Sequence, residues 1–272
     1  MPGFVDSLGF ERMMGDLGFS TPPNQLWLSW GTSGATPVVA RSDWVARSFA
    51  DKPLNAPTRI KDQGRTQECN GFAICYAMEA VRRVTGGKDI PLSPAYIYGH
   101  INQGHDNGSR LEDGLAHVQS IGTVPASVVG ELDWFPGRFP PDARTVAQKF
   151  RVLEWWLCDT FELMASAVHN GFPVVFGIPW GPQDGVDDQG WLAEAPAGGI
   201  AGGHAMCAFA LAKRGRKWGL LTVNSWTQNW GKDGWLVVPE GRFNNPMFGR
   251  GAWACRVVTS SELVDIPPVI DE

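Results

Sequence analysis

The chain reads as an α+β fold with its helices ahead of its strands. Three observations carry this. Ala73, Tyr76, Ala77, Ala80, Val81 and Val84 make an apolar stripe at helical spacing, closed by Gly86-Gly87. Past residue 170 the pattern turns into compact β-type runs. Helical and strand segments do not alternate along the chain, which disfavours βαβ units.

The elements follow in order. The first helix is expected to begin near Cys69, because Gln63-Gly64-Arg65-Thr66 reads as loop. Ser93-Pro94 fits a helix start, with Ala95 to Ile101 following. Leu111 to Ser120 and Phe161 to Asn170 complete the helices. The strand runs are Val174–Ile178, His204–Leu211, Leu220–Trp226, Trp235–Val238 and Ala252–Val258. Pro179 to Gly203 is a long Gly/Asp/Pro-rich connection, a length often tied to function. Residues 1–40 differ in composition. Phe4, Leu8 and Met13 suit a short helix, and Ser20–Pro37 is turn-rich, with Trp27 and Trp30 interleaved. Two readings stay open for this extension: a loosely ordered arm, or a segment that packs on or blocks the main domain.

Composition bounds the function. With 43% hydrophobic and 19% charged residues the 272-residue chain is globular. A net charge of -5 without a basic stripe argues against a nucleic-acid partner. No apolar run reaches membrane-spanning length and the first residues do not resemble a secretion signal. The five cysteines include no CxxC pair, so a disulfide scaffold or structural zinc site is not expected and a reducing, cytoplasmic compartment is. Thirteen tryptophans against three tyrosines suggest aromatic walls as well as core.

Four cysteines, Cys75, Cys158, Cys207 and Cys255, lie in or beside apolar runs and read as small buried hydrophobes. Cys69 has polar flanks and stands at a helix N-terminus, where unpaired N–H groups and partial positive charge favour a thiolate. Such a nucleophile needs an imidazole. His100 and His105 read as surface loop, and His117 and His169 as helix faces. His204 opens a strand directly after Gly202-Gly203. A lone strand histidine is more often a hydrogen-bonded core residue. Asn224, at the end of the next strand, is placed to hold that imidazole, and Gln63, six residues before Cys69, to return its amide to an oxyanion together with the Cys69 N–H.

In combination, Gln63, Cys69, His204 and Asn224 resemble the papain-like cysteine peptidases. Gln63-Gly64 before the cysteine, Gly71-Phe72-Ala73 after it, Gly203-His204-Ala205, Asn224-Ser225-Trp226 and Trp230-Gly231-Lys232-Asp233-Gly234-Trp235 look like that family's motifs. Ser93-Pro94 with Tyr96 and Tyr98, and Asp113-Gly114-Leu115, look like further landmarks. His204 follows Cys69 by roughly 135 residues and Asn224 by roughly 155, against about 130–150 in the family. The local signature departs: in Thr66-Gln67-Glu68-Cys69-Asn70 only the nucleophile matches, and Glu68 places a carboxylate next to the thiol.

The resemblance covers roughly residues 41–262. It implies a two-lobe fold: a helical left lobe over about 59–150, an antiparallel β-barrel right lobe over about 151–262, and an active site in the cleft between them. Residues 1–40 form an N-terminal extension and 263–272 a C-terminal tail. The implied activity is endopeptidase cleavage of a polypeptide through a Cys69–His204 thiolate–imidazolium pair, with no metal, no cofactor, and neither nucleic acid nor membrane as partner. Trp226 shields the His204–Asn224 bond, Trp230 walls the leaving-group side, and Gln67 and Glu68 border the substrate. Self-inhibition by residues 1–40 is a further expectation, although no propeptide motif stands out there. Two alternatives remain: a catalytically inactive papain-like binding or structural module, and a Cys/His amidase or peptidoglycan hydrolase. An ionised Cys69 is expected to react with iodoacetamide at about pH 6 ahead of the other four thiols.

Overall fold

The computed structural model describes residues 3–6, 8–17, 28–30, 37–243 and 251–259. The expected C-terminal tail, 263–272, and Trp27 lie outside them. Along the chain the elements are β1 (Phe4–Val5), β2 (Glu11–Arg12), β3 (Leu28–Ser29), α1 (Cys69–Val84), α2 (Pro94–Ile101), α3 (Leu111–Ser120), α4 (Ala143–Ala147), β4 (Val152–Leu157), α5 (Phe161–His169), β5 (Val174–Trp180), β6 (Gly202–Arg214), β7 (Lys217–Val223), β8 (Trp235–Pro239), α6 (Glu240–Phe243) and β9 (Ala252–Val258). Helices thus precede most of the sheet, as the sequence predicts. The run Val152–Leu157 was not anticipated as a strand.

The short helix expected around Phe4, Leu8 and Met13 is instead a hairpin, with Phe4 opposite Arg12 and Val5 opposite Glu11. Asp6 decides this locally. Its Oδ1 accepts from Leu8 N (2.9 Å) and Phe10 N (3.0 Å), and Gly9 closes the turn at φ +83°, a conformation that ends a helix. His100 also differs from expectation: it sits in the last turn of α2, its ring 5.0 Å from that of His117.

The helix starts obey local rules. Ser93 Oγ accepts from Tyr96 N with Pro94 at the first helical position, and Thr160 Oγ1 accepts from Leu163 N to cap α5. The main sheet has seven strands in the order β3-β4-β9-β5-β6-β7-β8, antiparallel except where β3 meets β4. Its two faces alternate as strand geometry requires. Val175, Cys207, Leu221, Trp253 and Cys255 face α1, which contributes Ala73, Ala77 and Ala80. Val174, Phe176, Met206, Ala208, Leu220 and Ala254 face α5, which contributes Phe161, Met164 and Val168. The sheet is thus sandwiched between the two helices, and α1 is buried on nearly every side.

The long connection between β5 and β6 is tied down by one buried ion pair. Arg242 Nη2 meets Asp184 Oδ1 at 2.9 Å, both side chains fully buried. Arg242 also donates to Pro179 O (3.1 Å) and Ala193 O (2.9 Å), while Asp184 accepts from Gly181 N (2.7 Å) and Ala197 N (3.0 Å). Removing one partner strands the other charge in a dry site. Arg242→Met is therefore expected to cost about 3–5 kcal/mol in urea unfolding at pH 7. A loss under about 1 kcal/mol would show that the pair does not anchor this loop.

Candidate active site

Four strand ends and loops converge where α1 begins. Cys69 is the first residue of α1, His204 the third of β6, and Asn224 follows the last residue of β7. β6 and β7 are hydrogen-bonded neighbours with Cys207 opposite Val223, so His204 and Asn224 leave the same end of the sheet. His204 Nε2 lies 2.8 Å from Asn224 Oδ1, which also accepts from Ser225 N at 2.8 Å. Two donors converging on one oxygen place it in the acceptor orientation, so the ring proton belongs on Nε2. Nδ1 is then the basic nitrogen, and it is buried with no hydrogen-bond partner among the described residues. The N–H of Ala205, the residue after His204, points at the Cys69 sulfur. The imidazole stacks on Trp226 (4.5 Å between centroids, 25°) and meets the edge of Trp180 at 5.2 Å. Trp230 stands perpendicular to Trp226 at 5.1 Å.

Gln63 reaches this group through a short antiparallel ladder. Gln63 N donates to Ser225 O (2.9 Å), Thr227 N donates to Lys61 O (3.2 Å), and Asp62 bridges Trp226. Tyr76 of α1 joins it, its hydroxyl accepting from Lys61 N (2.6 Å) and donating to Asn224 O (3.4 Å). At the side chain, Ser225 Oγ donates to Gln63 Oε1 (2.6 Å), while Nε2 donates to Thr66 O (2.9 Å) and Met13 O (3.5 Å).

Gln67 and Glu68 are held away from free solvent. Gln67 Oε1 accepts no hydrogen bond among the described residues, but its N and Nε2 both donate to Asp106, at 2.8 and 2.6 Å. Glu68 is fully buried and takes a hydrogen bond from Thr66 Oγ1 at 2.7 Å. Burial pushes its carboxyl well above the ordinary range, which favours the uncharged acid. The expectation of a carboxylate bordering the substrate beside the thiol is corrected accordingly.

The N-terminal segment fills the space over the cysteine. Asp16 N donates to Gly203 O (3.0 Å), Leu17 N to Ser109 O (2.8 Å), and Ser109 N to Gly15 O (2.7 Å). The chain thus lies as a strap between β6 and the loop ahead of α3. The N–H of Gly15 points at the Cys69 sulfur. Gly15 is required by contact: a Cβ there would fall 1.7 Å from Gln67 O. Upstream, Arg12 clamps the strap, its Nε 2.9 Å from Asp6 Oδ2, its Nη1 2.9 Å from Asp62 Oδ1, its guanidinium over the Trp226 ring at 5.8 Å. Phe4 packs on Trp226 at 5.3 Å, and Met14 is fully buried in the same aromatic cluster.

This burial reverses the charge state expected from sequence. Cys69 and His204 are both 0% exposed. Burial, with the nearby Asp16 charge adding to it, pushes the Cys69 thiol up to about 12, although the amides of Ala205, Gly15 and Asn70 oppose it. Burial brings the His204 imidazole down to about 4 against the hydrogen bond to Asn224. With the strap seated, the pair is a neutral thiol and a neutral imidazole rather than a thiolate and an imidazolium. The donors of one helix end do not outweigh complete desolvation.

The architecture has known counterparts. The chain aligns with xylellain, a cysteine protease from Xylella fastidiosa, at a TM-score of 0.65 and 18% identity, covering 92% of this chain and 98% of that one. It aligns with digestive procathepsin L 3 of Tenebrio molitor at 0.63 and 16%, covering 85% and 73%. Bromelain from Ananas comosus, bound to the inhibitor E64, aligns at 0.52 and 16%, covering 73% and 93%. The fold is papain-like. In sequence the chain is 22% identical over 239 residues to an uncharacterized peptidase C1-like protein of Acanthamoeba polyphaga mimivirus, covering 76% of this chain and 72% of that one. No family model matches it.

Sequence reasoning gave no role to Arg12, Gly15, Asp16 or Tyr76, and named Ser225 only within a motif. A glycine between Met14 and Asp16 carries no signal of its own; its meaning is the carbonyl it passes. Among the described residues no His, Cys, Asp or Glu cluster has metal-site geometry, and no helix is long and apolar enough to cross a membrane.

The strap geometry yields a direct test. Gly15→Leu forces a side chain into the Gln67 carbonyl, so it is expected to raise iodoacetamide modification of Cys69 at pH 7 at least about tenfold over the native chain. In the native chain the rate should climb with pH across neutrality, because a thiol at about 12 gains thiolate as pH rises. Peptide-resolved mass spectrometry reads both. Equal rates in the two proteins would mean that the strap does not guard the sulfur.

Proposed function

We propose that this protein is a cysteine-type endopeptidase kept latent by its own N-terminal strap. The single observation carrying the reading is the imidazole of His204, oriented by Asn224 through Nε2, with an Nδ1 that has no partner among the described residues, on a strand whose next amide, that of Ala205, meets the Cys69 sulfur.

In the active state the strap leaves, water and substrate enter, and the helix-end donors act on a rehydrated thiol. His204 Nδ1 then takes the Cys69 proton. The thiolate attacks a peptide carbonyl. The developing oxyanion accepts from the Cys69 N–H and Gln63 Nε2, a type of contact whose removal costs about 3–4 kcal/mol. The imidazolium returns its proton to the departing amine, and water hydrolyses the thioester by the reverse sequence. Trp226, stacked on the ring, keeps water from competing for the His204–Asn224 bond. Trp230 lines the leaving-group side. Gln67 is assigned a supporting role, because its side chain is spent on Asp106.

The strap acts as the inhibitor by occupying backbone positions on Gly203 and Ser109 that an extended peptide needs. It also holds the reacting pair uncharged.

Hydrolysis of an unstructured protein substrate and uptake of an epoxide titrant by Gly15→Leu test the reading together. In that background His204→Ala is expected to lower kcat by about a thousandfold or more, with Cys69→Ser at least as impaired. An inactive binding module takes up no epoxide and hydrolyses nothing even when the strap is displaced, and such a result would replace the peptidase reading.

A further inference from the structure

The strap pairs with the main chain of Ser109, and the loop that carries Ser109 is not fastened by its own backbone. Among the described residues, the backbone–backbone hydrogen bonds of residues 106–109 run to His105 and to the strap, none to α1 or α2. Side chains make the attachment instead. Asp106 Oδ1 accepts from Gln67 N (2.8 Å) and from the Tyr98 hydroxyl (2.8 Å), and Asp106 O accepts from Gln67 Nε2 (2.6 Å). The Tyr98 hydroxyl in turn accepts from Gly108 N at 3.0 Å. One carboxylate oxygen thereby ties the loop to α2 and to the segment that leads into α1.

Asn70 is a second bolt. Its Nδ2 donates to Ser109 O at 2.8 Å and to Ser109 Oγ at 2.9 Å, while its own N–H points at the Cys69 sulfur. Asn70 and Tyr98 are fully buried and Gln67 nearly so, so a partner lost here leaves a buried donor unpaired. Once the strap has left, these side chains are what keeps the Ser109 N–H and C=O in place.

Resting on the peptidase reading above, we infer that Asp106 and Asn70 are positioning residues for substrate docking: their side chains hold the Ser109 main chain against the start of α1, so that a peptide paired with this edge meets the sulfur in one register. They act on binding and leave bond breaking to the other groups. The strap uses the same edge, so its grip depends on the same two side chains.

Two arms test this in the full chain. In the otherwise native protein, Asp106→Ala is expected to raise iodoacetamide modification of Cys69 at pH 7 at least about threefold, because the strap loses its fixed edge. Asp106→Asn keeps an Oδ1 acceptor and should stay within about twofold of native. In the Gly15→Leu parent, Asp106→Ala should raise KM for a peptide amide about five- to tenfold with kcat changed less than about twofold, and Asp106→Asn should bring KM back to within about twofold. Cys69 alkylation in that parent should change less than about twofold, which a general fold defect would not allow. Peptides N-methylated at one backbone position at a time show which substrate N–H the edge takes, as the position with the largest KM penalty. That penalty should shrink at least about threefold in Asp106→Ala. If the alanine variant does not fold, Tyr98→Phe, which removes only a hydroxyl from the network, carries the same measurements. Native-like alkylation in the first arm, an unchanged KM, a fall confined to kcat, failure of the asparagine rescue, or an equal N-methyl penalty in both proteins overturns the role. A Gly15→Leu parent that hydrolyses nothing and takes up no epoxide overturns the peptidase reading and the docking role with it; an active parent in which Asp106→Ala behaves as the parent does overturns the docking role alone.

Discussion

The ladder between residues 61–63 and 225–227 is the constraint on which the site depends. It is only a few hydrogen bonds long, but each end carries a chemically distinct group: Gln63 on one strand, Asn224 and Trp226 on or beside the other. Tyr76 pins it to α1, so the sulfur at that helix's first turn is fixed relative to both. Three side chains distant in sequence thereby share one frame. The buried Lys61, whose Nζ meets Glu79 Oε1 at 2.8 Å and Glu131 Oε1 at 2.5 Å, anchors the start of that ladder to the helical half. Breaking such a buried network leaves charges without partners, so the frame resists local opening.

The strap is attached to the same frame. Arg12 reaches Asp62 and the Trp226 carbonyl, and Gly15 crosses at Gln67, so the strap and the candidate site residues share their supports. This arrangement lets one segment govern both access and electrostatics. While it is seated, burial favours the uncharged thiol and imidazole; under the proposed function, its departure lets the same helix N-terminus and hydrogen bonds favour charge separation.

Much of the fold was legible because it rests on local rules. The stripe of Ala73 to Val84, the Ser93-Pro94 start and the β-type runs after residue 170 each fold as their spacing indicates. The strand at Val152–Leu157 escaped because its burial does not alternate: adjacent Trp155 and Trp156 are both buried, one in each of the two cores that flank the sheet. The hairpin at residues 4–12 was misread as helical because three apolar residues outweighed the turn made by Asp6 and Gly9. In the site, the residue types and order of Gln63, Cys69, His204 and Asn224 were readable. The strap's path, the neutralised Glu68 and the hydroxyl of Ser225 were not.

The sequence by itself determined which groups can do chemistry and where helices and strands begin, since capping, periodicity and side-chain chemistry act over a few residues. Only the tertiary structure decided whether those groups are wet or dry and charged or neutral. Desolvation is a property of everything packed around an atom, and at Cys69 Gly15, Asp16 and Ala205 meet from segments that no local pattern connects.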